Sequence, residues 1–195
     1  LFPFTPILEA VSAAGIRPIV ARQERVAENM ADGFSRVSNG KRIGTVTVQQ
    51  AAGAENAFAG IAQAYTDSSP ILFLPGGMPR SESGTPPSFN AVPNFLATTK
   101  WADQLLTADS LTQRMRRAFT ALKTGRPGPV LLEIPTDVAV EELSSELDYV
   151  PVTAARSGVD PDAVRDAARL LLAAKRPMIW AGQGVLYSEA TPAVT

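Results

Sequence analysis

The run Ile19-Val-Ala-Arg-Gln-Glu24-Arg-Val-Ala-Glu-Asn-Met-Ala-Asp-Gly-Phe34 decides how this chain is read. Its first residues close an apolar, β-prone segment that predicts a strand over Arg17–Ala21. Beyond Glu24, the apolar residues Val26, Ala27, Met30, Ala31 and Phe34 recur at helical spacing, one face for a sheet to bury. A strand that passes into a helix at a carboxylate matches the ligand crevice beyond the carboxyl ends of an open parallel sheet. In the first helical turn the dipole favours ionised Glu24, while burial at the crevice floor opposes it. A carboxylate drawn both ways suits acid–base work. The plain alternative is a surface glutamate at a helix start.

Working outward, Leu1-Phe-Pro-Phe-Thr5 enters a helical pattern at once, with Thr5 as cap, Pro6 at the first position and Ile7, Leu8, Val11 and Ala14 as apolar side. Gly15 ends it. Downstream, the Glu24 helix closes at Ser38-Asn39-Gly40, and the β-branched run Ile43–Val48 reads as a strand. A turn over Gln49–Asn56 leads into a helix carrying Phe58, Ile61, Ala62 and Tyr65. Pro70–Leu74 reads as a fully buried strand. Three strand-then-helix passages at this spacing predict an α/β fold with a parallel sheet and right-handed crossovers.

The rhythm breaks over Gly76–Pro93, a long loop of the kind that usually carries function. Asp109 or Ser110 starts a helix with Leu111, Met115, Ala118, Phe119 and Leu122 on one face, and Arg114, Arg116 and Arg117 on a solvated one. Val130–Ile134 is the next strand. Residues 135–159 turn acidic and irregular, as a domain boundary would, before Asp160-Pro161 caps a helix. A strand over Met178–Ala181 then runs into Gly182-Gln-Gly184, a glycine pair that could approach a diphosphate.

The 195 residues contain no histidine and no cysteine. Ser-His-Asp and Cys-His catalysis, thiolate sites and histidine metal sites are therefore excluded within the chain, and no metal ligands are expected here. With 18 basic against 19 acidic residues there is no nucleic-acid or membrane signature. No signal peptide or membrane-spanning run is visible, so a cytoplasmic location is expected. Both ends are abrupt, as in an excerpt from a longer protein.

Taken together, Arg22-Gln-Glu-Arg, Asn29-Met-Ala-Asp-Gly-Phe-Ser-Arg36, Gly53-Ala-Glu-Asn56, Gly60-Ile-Ala-Gln-Ala-Tyr65 and Gly125-Arg-Pro-Gly-Pro-Val-Leu-Leu-Glu-Ile-Pro-Thr-Asp137 resemble the pyrimidine-binding domain of thiamine-diphosphate enzymes, nearest the acetolactate synthase large subunits. The resemblance implies a three-layer α/β/α fold with a central, mostly parallel sheet. It places a pyrimidine-binding domain lacking its first strand at 1–140, a linker at 141–159 and the start of a central domain at 160–195. It implies that Glu24 hydrogen-bonds N1′ of the cofactor's aminopyrimidine and promotes the tautomer that removes the thiazolium C2 proton. Ala52 and Asn56 would lie against the pyrimidine, and Phe89 and Asn90 at the substrate. Arg126 matches a flavin-contacting position, with Lys100 in a Thr-Lys-Trp segment also seen in that branch.

Each of these positions has a plainer reading: Asn56 bonded to nearby backbone, Phe89 as core filling, Arg126 solvated in its turn. The implied partners are thiamine diphosphate, Mg2+ bound by a domain outside this chain, possible FAD, a 2-oxo acid substrate and further copies as homodimer or homotetramer. Two departures stand out. Ala51-Ala-Gly-Ala54 replaces the family's Gly-Pro-Gly-Ala turn, implying a different cofactor wall, and Asn90 stands where the synthases usually carry glutamine. The competing function is a non-catalytic Rossmann-like module for nucleotide binding or oligomerisation.

Overall fold

Four short runs pair into an all-parallel sheet: β1 (Gly44–Val48), β2 (Ile71–Gly77), β3 (Trp101–Gln104) and β4 (Val130–Pro135), in the order β1-β2-β4-β3. The computed structural model describes residues 5–153 and 158–195. They form two units, Leu1–Ala154 and Ala155–Thr195, and the sheet lies in the first. β4 is buried along its whole length, and β2 at all but Leu74. That is why these two read as apolar runs without alternation.

Alternate residues of the strands feed opposite layers. Ile71, Phe73 and Leu131, with Val46 and Val48, pack under α2 (Glu24–Val37), α3 (Ala52–Thr66) and α4 (Ala91–Phe95). Leu72, Val130, Leu132 and Ile134 face Leu111, Met115, Ala118 and Leu122 of α5 (Leu111–Lys123) and Ile7 of α1 (Thr5–Ala13). The result is a three-layer α/β/α unit, as expected. Phe95 bridges α3 and β2, its ring centroid 5.1 Å from Phe58 and 5.3 Å from Phe73, within the range of favourable aromatic pairs.

Several local expectations need correction. The strand expected over Arg17–Ala21 joins no ladder. A cavity of about 810 Å³ lies between it and β1, and strands pair only at about 4.8 Å. Val20 is accordingly 77% exposed. The α2 face that should have packed on the sheet is half open: Val26, Met30 and Phe34 are 44–46% exposed, and Met30 and Phe34 border the same cavity. Of that face only Ala31 is buried and Ala27 half-buried on the core, and α2 buries the polar residues Glu28, Asp32 and Ser35 beside them. Conversely, β3 was not foreseen, because Trp-Ala-Asp-Gln is short and carries no alternation. Arg114 is not simply solvated but pairs with Asp103. Thr5 is the first residue of α1 rather than its cap; Leu1–Phe4, expected to lead into that helix, lie outside the described residues, as do 154–157 of the expected linker.

In the second unit, Asp160 caps α6 (Pro161–Ala173) by accepting a hydrogen bond from Asp162 N–H at 2.9 Å. Met178–Ala181, expected as a strand, joins no ladder among the described residues. It leads to the short helices α7 (Gly184–Tyr187) and α8 (Thr191–Val194). No helix among the described residues is long and apolar enough to cross a membrane.

Glycines let α2 seat its polar face. Gly60 of α3 leaves room for Glu28, whose Cβ lies 2.5 Å from where a side chain at Gly60 would begin. Glu28 is fully buried and neither carboxyl oxygen has a hydrogen-bond partner. Loss of hydration, with Asp32 nearby, pushes its pKa well up. Folding then takes up a proton at any pH between the unfolded value, about 4.3, and the raised one. Glu28 therefore favours the folded state most at low pH and loses that contribution as pH rises through this window.

Glu28→Gln removes the titration while keeping the shape. We expect its stability relative to the parent to climb by up to about 1.4 kcal/mol per pH unit above pH ~4.3. Urea unfolding at several pH values reads this directly, and a difference that does not vary with pH would refute it.

Candidate functional site

Glu24 is the first residue of α2, with Gln23 in extended conformation as its N-cap. Its side chain is half-buried. The chain passes from β1 through Gln49-Gln50-Ala51 into α3, which carries Asn56 on its second turn. These two helix starts converge: Asn56 Nδ2 donates to Glu24 Oε2 at 2.6 Å across 32 residues of sequence. The bond orients the carboxylate and leaves Oε1 as an acceptor. Gln50, in the same turn, holds a buried amide oxygen with no donor. Glu24, which borders the cavity, is an acceptor suited to a ligand that brings an N–H group, whereas the Gln50 oxygen is shut away from that space.

The wall of the site is strained. Ala51 sits at φ 51°, ψ −105°, a region costing a residue with a Cβ roughly 1–3 kcal/mol. This is the turn where the expected glycine is replaced by alanine, and its backbone holds a positive φ that suits a glycine. Ala52 is exposed beside it, with its backbone opening α3. The cavity of about 810 Å³ is bordered by Gln23, Glu24, Val48 and Gln49 at this end.

Other expected residues lie elsewhere. Of the expected site residues only Glu24 borders that cavity among the described residues; Ala52, Asn56, Phe89 and Asn90 do not. Phe89 is half-buried against the α2–α3 core, and Asn90 is the N-cap of α4, its carbonyl accepting from Asn94 Nδ2 at 2.7 Å. Arg126 is engaged at the end of α3, where it donates to Ser68 Oγ at 2.7 Å and to the carbonyls of Tyr65 and Thr66. Lys100 likewise donates to the carbonyls of Ala121 and Thr124 at the end of α5, and burial lowers its pKa. A cation at a helix C-terminus meets unpaired carbonyls and a favourable dipole. Both basic residues are thereby given a local structural role.

Among the described residues three acids are buried, Glu28, Asp32 and Glu133, and none of them is evident as such from sequence. Glu28 looked like one more polar residue of an amphipathic helix. Glu133 sat inside the apolar run of β4, and an acid in a fully buried strand was the signal that could have found it.

Residues 3–107 match the family model described as thiamine pyrophosphate enzyme, N-terminal TPP binding domain. The chain is 34% identical over 194 residues to a probable acetolactate synthase large subunit of Methanocaldococcus jannaschii, covering 95% of this chain and 32% of that protein. It is 35% identical over 191 residues to the acetolactate synthase isozyme 1 large subunit of Escherichia coli, covering 95% and 33%. The crystal structure of benzoylformate decarboxylase from Polynucleobacter necessarius is similar at a TM-score of 0.77 and 26% identity, over 88% of this chain and 32% of that one. The chain thus spans about a third of the length of these relatives.

Proposed function

The chain belongs to the thiamine pyrophosphate enzymes, carrying their N-terminal TPP-binding domain, and on that premise we propose that Glu24 is the carboxylate that binds and activates the cofactor's aminopyrimidine. The observation that carries this reading is the Asn56–Glu24 bond, which orients a carboxylate that borders the crevice. Ala52 and Asn56 would border the same ring. When bound, the cofactor supplies the stabilised carbanion that 2-oxo acid chemistry needs. The residues of this chain orient the heterocycle, accept its N–H at Glu24, and hold a proton there. On this reading the whole protein works on a 2-oxo acid, by carboligation or decarboxylation, with Phe89 and Asn90 at the substrate.

Three further parts of the reading have physical support. A diphosphate is a multiply charged hard anion and calls for a cation such as Mg2+, held by residues outside this chain. Ala52 and Asn56 are exposed in the described unit, so a second surface is needed to dry the site; a homodimer or homotetramer supplies one. Residues 160–195 read as the opening of a central domain, and Asp160 caps its first helix. Arg126 and Lys100 are committed to helix ends, so the reading does not need FAD.

Calorimetry of the full-length protein with thiamine diphosphate and Mg2+ tests it. We expect saturable binding that Asn56→Ala weakens by about tenfold, the loss of one charge-assisted hydrogen bond at roughly 1.5 kcal/mol. Absence of heat would favour the non-catalytic module instead.

A further inference from the structure

Between Gly77 and Ala91 the chain leaves the carboxyl edge of the sheet and returns to it, and carboxylates from β4 and the turn beyond hold both feet of this loop. At the first foot, Asp137 accepts from Arg80 N–H at 3.1 Å and from its Nε at 2.6 Å, while Arg80 also reaches Glu141 and the Leu106 carbonyl. These groups are exposed. At the second foot the holder is buried: Glu133 is 3% exposed. Its Oε1 accepts Ala91 N–H at 3.2 Å and its Oε2 accepts Gln104 Nε2 at 2.9 Å. Gly77 makes the space, since a Cβ there would lie 2.9 Å from Glu133 Cγ.

Two donors converge on a group that, when ionised, only accepts. Loss of hydration raises the Glu133 pKa, and the two hydrogen bonds pull it back down. The fold thus places an acid inside an apolar layer and gives each oxygen a partner. One partner is the first residue after Phe89-Asn90; the other belongs to the edge strand β3.

We propose that Glu133 is a positioning residue for the substrate, holding Phe89 and Asn90 in register by gripping Ala91 and tying it to β3. This rests on the proposed placing of Phe89 and Asn90 at the 2-oxo acid. It assigns Glu133 no contact with the cofactor, so its influence falls on substrate affinity rather than on cofactor activation.

The test uses the full-length protein with pyruvate as probe and hydrogen exchange of the loop. Glu133→Met keeps length and volume but accepts no hydrogen bond. It should speed exchange of the Phe89–Ala91 amides at least tenfold and raise KM at least tenfold, with kcat within threefold and thiamine diphosphate affinity unchanged. Glu133→Gln should restore both readouts to within twofold, since its oxygen still accepts from Ala91 and Gln104 can turn its amide. Should Glu133→Met fail to fold, Gln104→Ala removes one arm of the grip and should raise KM about threefold.

Looser amides with an unmoved KM would make the grip merely structural and overturn the proposal. So would kcat and melting temperature falling together at constant KM, or a Gln104→Ala variant with no effect. A parent that binds no thiamine diphosphate, or that turns over undiminished as Glu24→Gln, sinks the cofactor reading instead; the exchange data would still report on the grip.

Discussion

Glu24→Gln in the full-length protein should lower turnover by about 10³-fold, roughly 4 kcal/mol of barrier, because tautomer control and proton holding are lost together. The fold should survive. Glu24 is half-buried at a helix start, and its one described partner, Asn56 Nδ2, can donate equally well to a glutamine oxygen. Cofactor affinity should fall far less than turnover, since the amide still fits the same space. Steady-state rates, with circular dichroism as the control for folding, give the answer. A variant turning over at the parental rate would remove Glu24 from the mechanism.

The largest effect on stability is expected at Gly44. A Cβ at this position would lie 2.1 Å from the Ala31 carbonyl oxygen and 2.6 Å from its carbon, both backbone atoms of α2. The helix cannot back away cheaply. Ser35 Oγ accepts from Gly44 N–H at 2.8 Å and donates to the Pro70 carbonyl at 2.6 Å, so helix, β1 and the entry to β2 are fastened at one buried point. Gly44→Ala should therefore cost about 3 kcal/mol or more, at the upper end for overpacking. The corresponding transition should melt lower by about 6–12 °C. A melting point within roughly 2 °C of the parent would show that α2 yields more easily than these bonds imply.

These two residues show different degrees of legibility. Glu24 was visible because its position depends on local pattern: an apolar run before it and a helical period after it. β1, β2, α3, α5, β4 and α6 were readable for the same reason, each being written in its own period, cap or breaker. The role of Gly44 was invisible, because a close approach of α2 to β1 joins residues whose spacing along the chain says nothing about contact. The α2 face departs from its pattern for a related reason. A hydrophobic stripe states which side can be buried, whereas Gly60 and the Ser35 bonds decided which side was. Glu133 and Asn56 likewise acquired their partners only across 29 to 42 residues of intervening chain.

From residue order alone came the α/β class, the parallel sheet, the carboxylate at the crevice and the absence of histidine and cysteine chemistry, since propensity, periodicity and composition are properties of neighbours along the chain. Tertiary packing alone decided that Arg17–Ala21 stays unpaired, that Trp101–Gln104 becomes an edge strand, that α2 buries acids, and that Arg126 and Lys100 serve helix ends. Each of those outcomes turns on which distant backbone lies within hydrogen-bonding or van der Waals reach, and only the folded chain sets that distance.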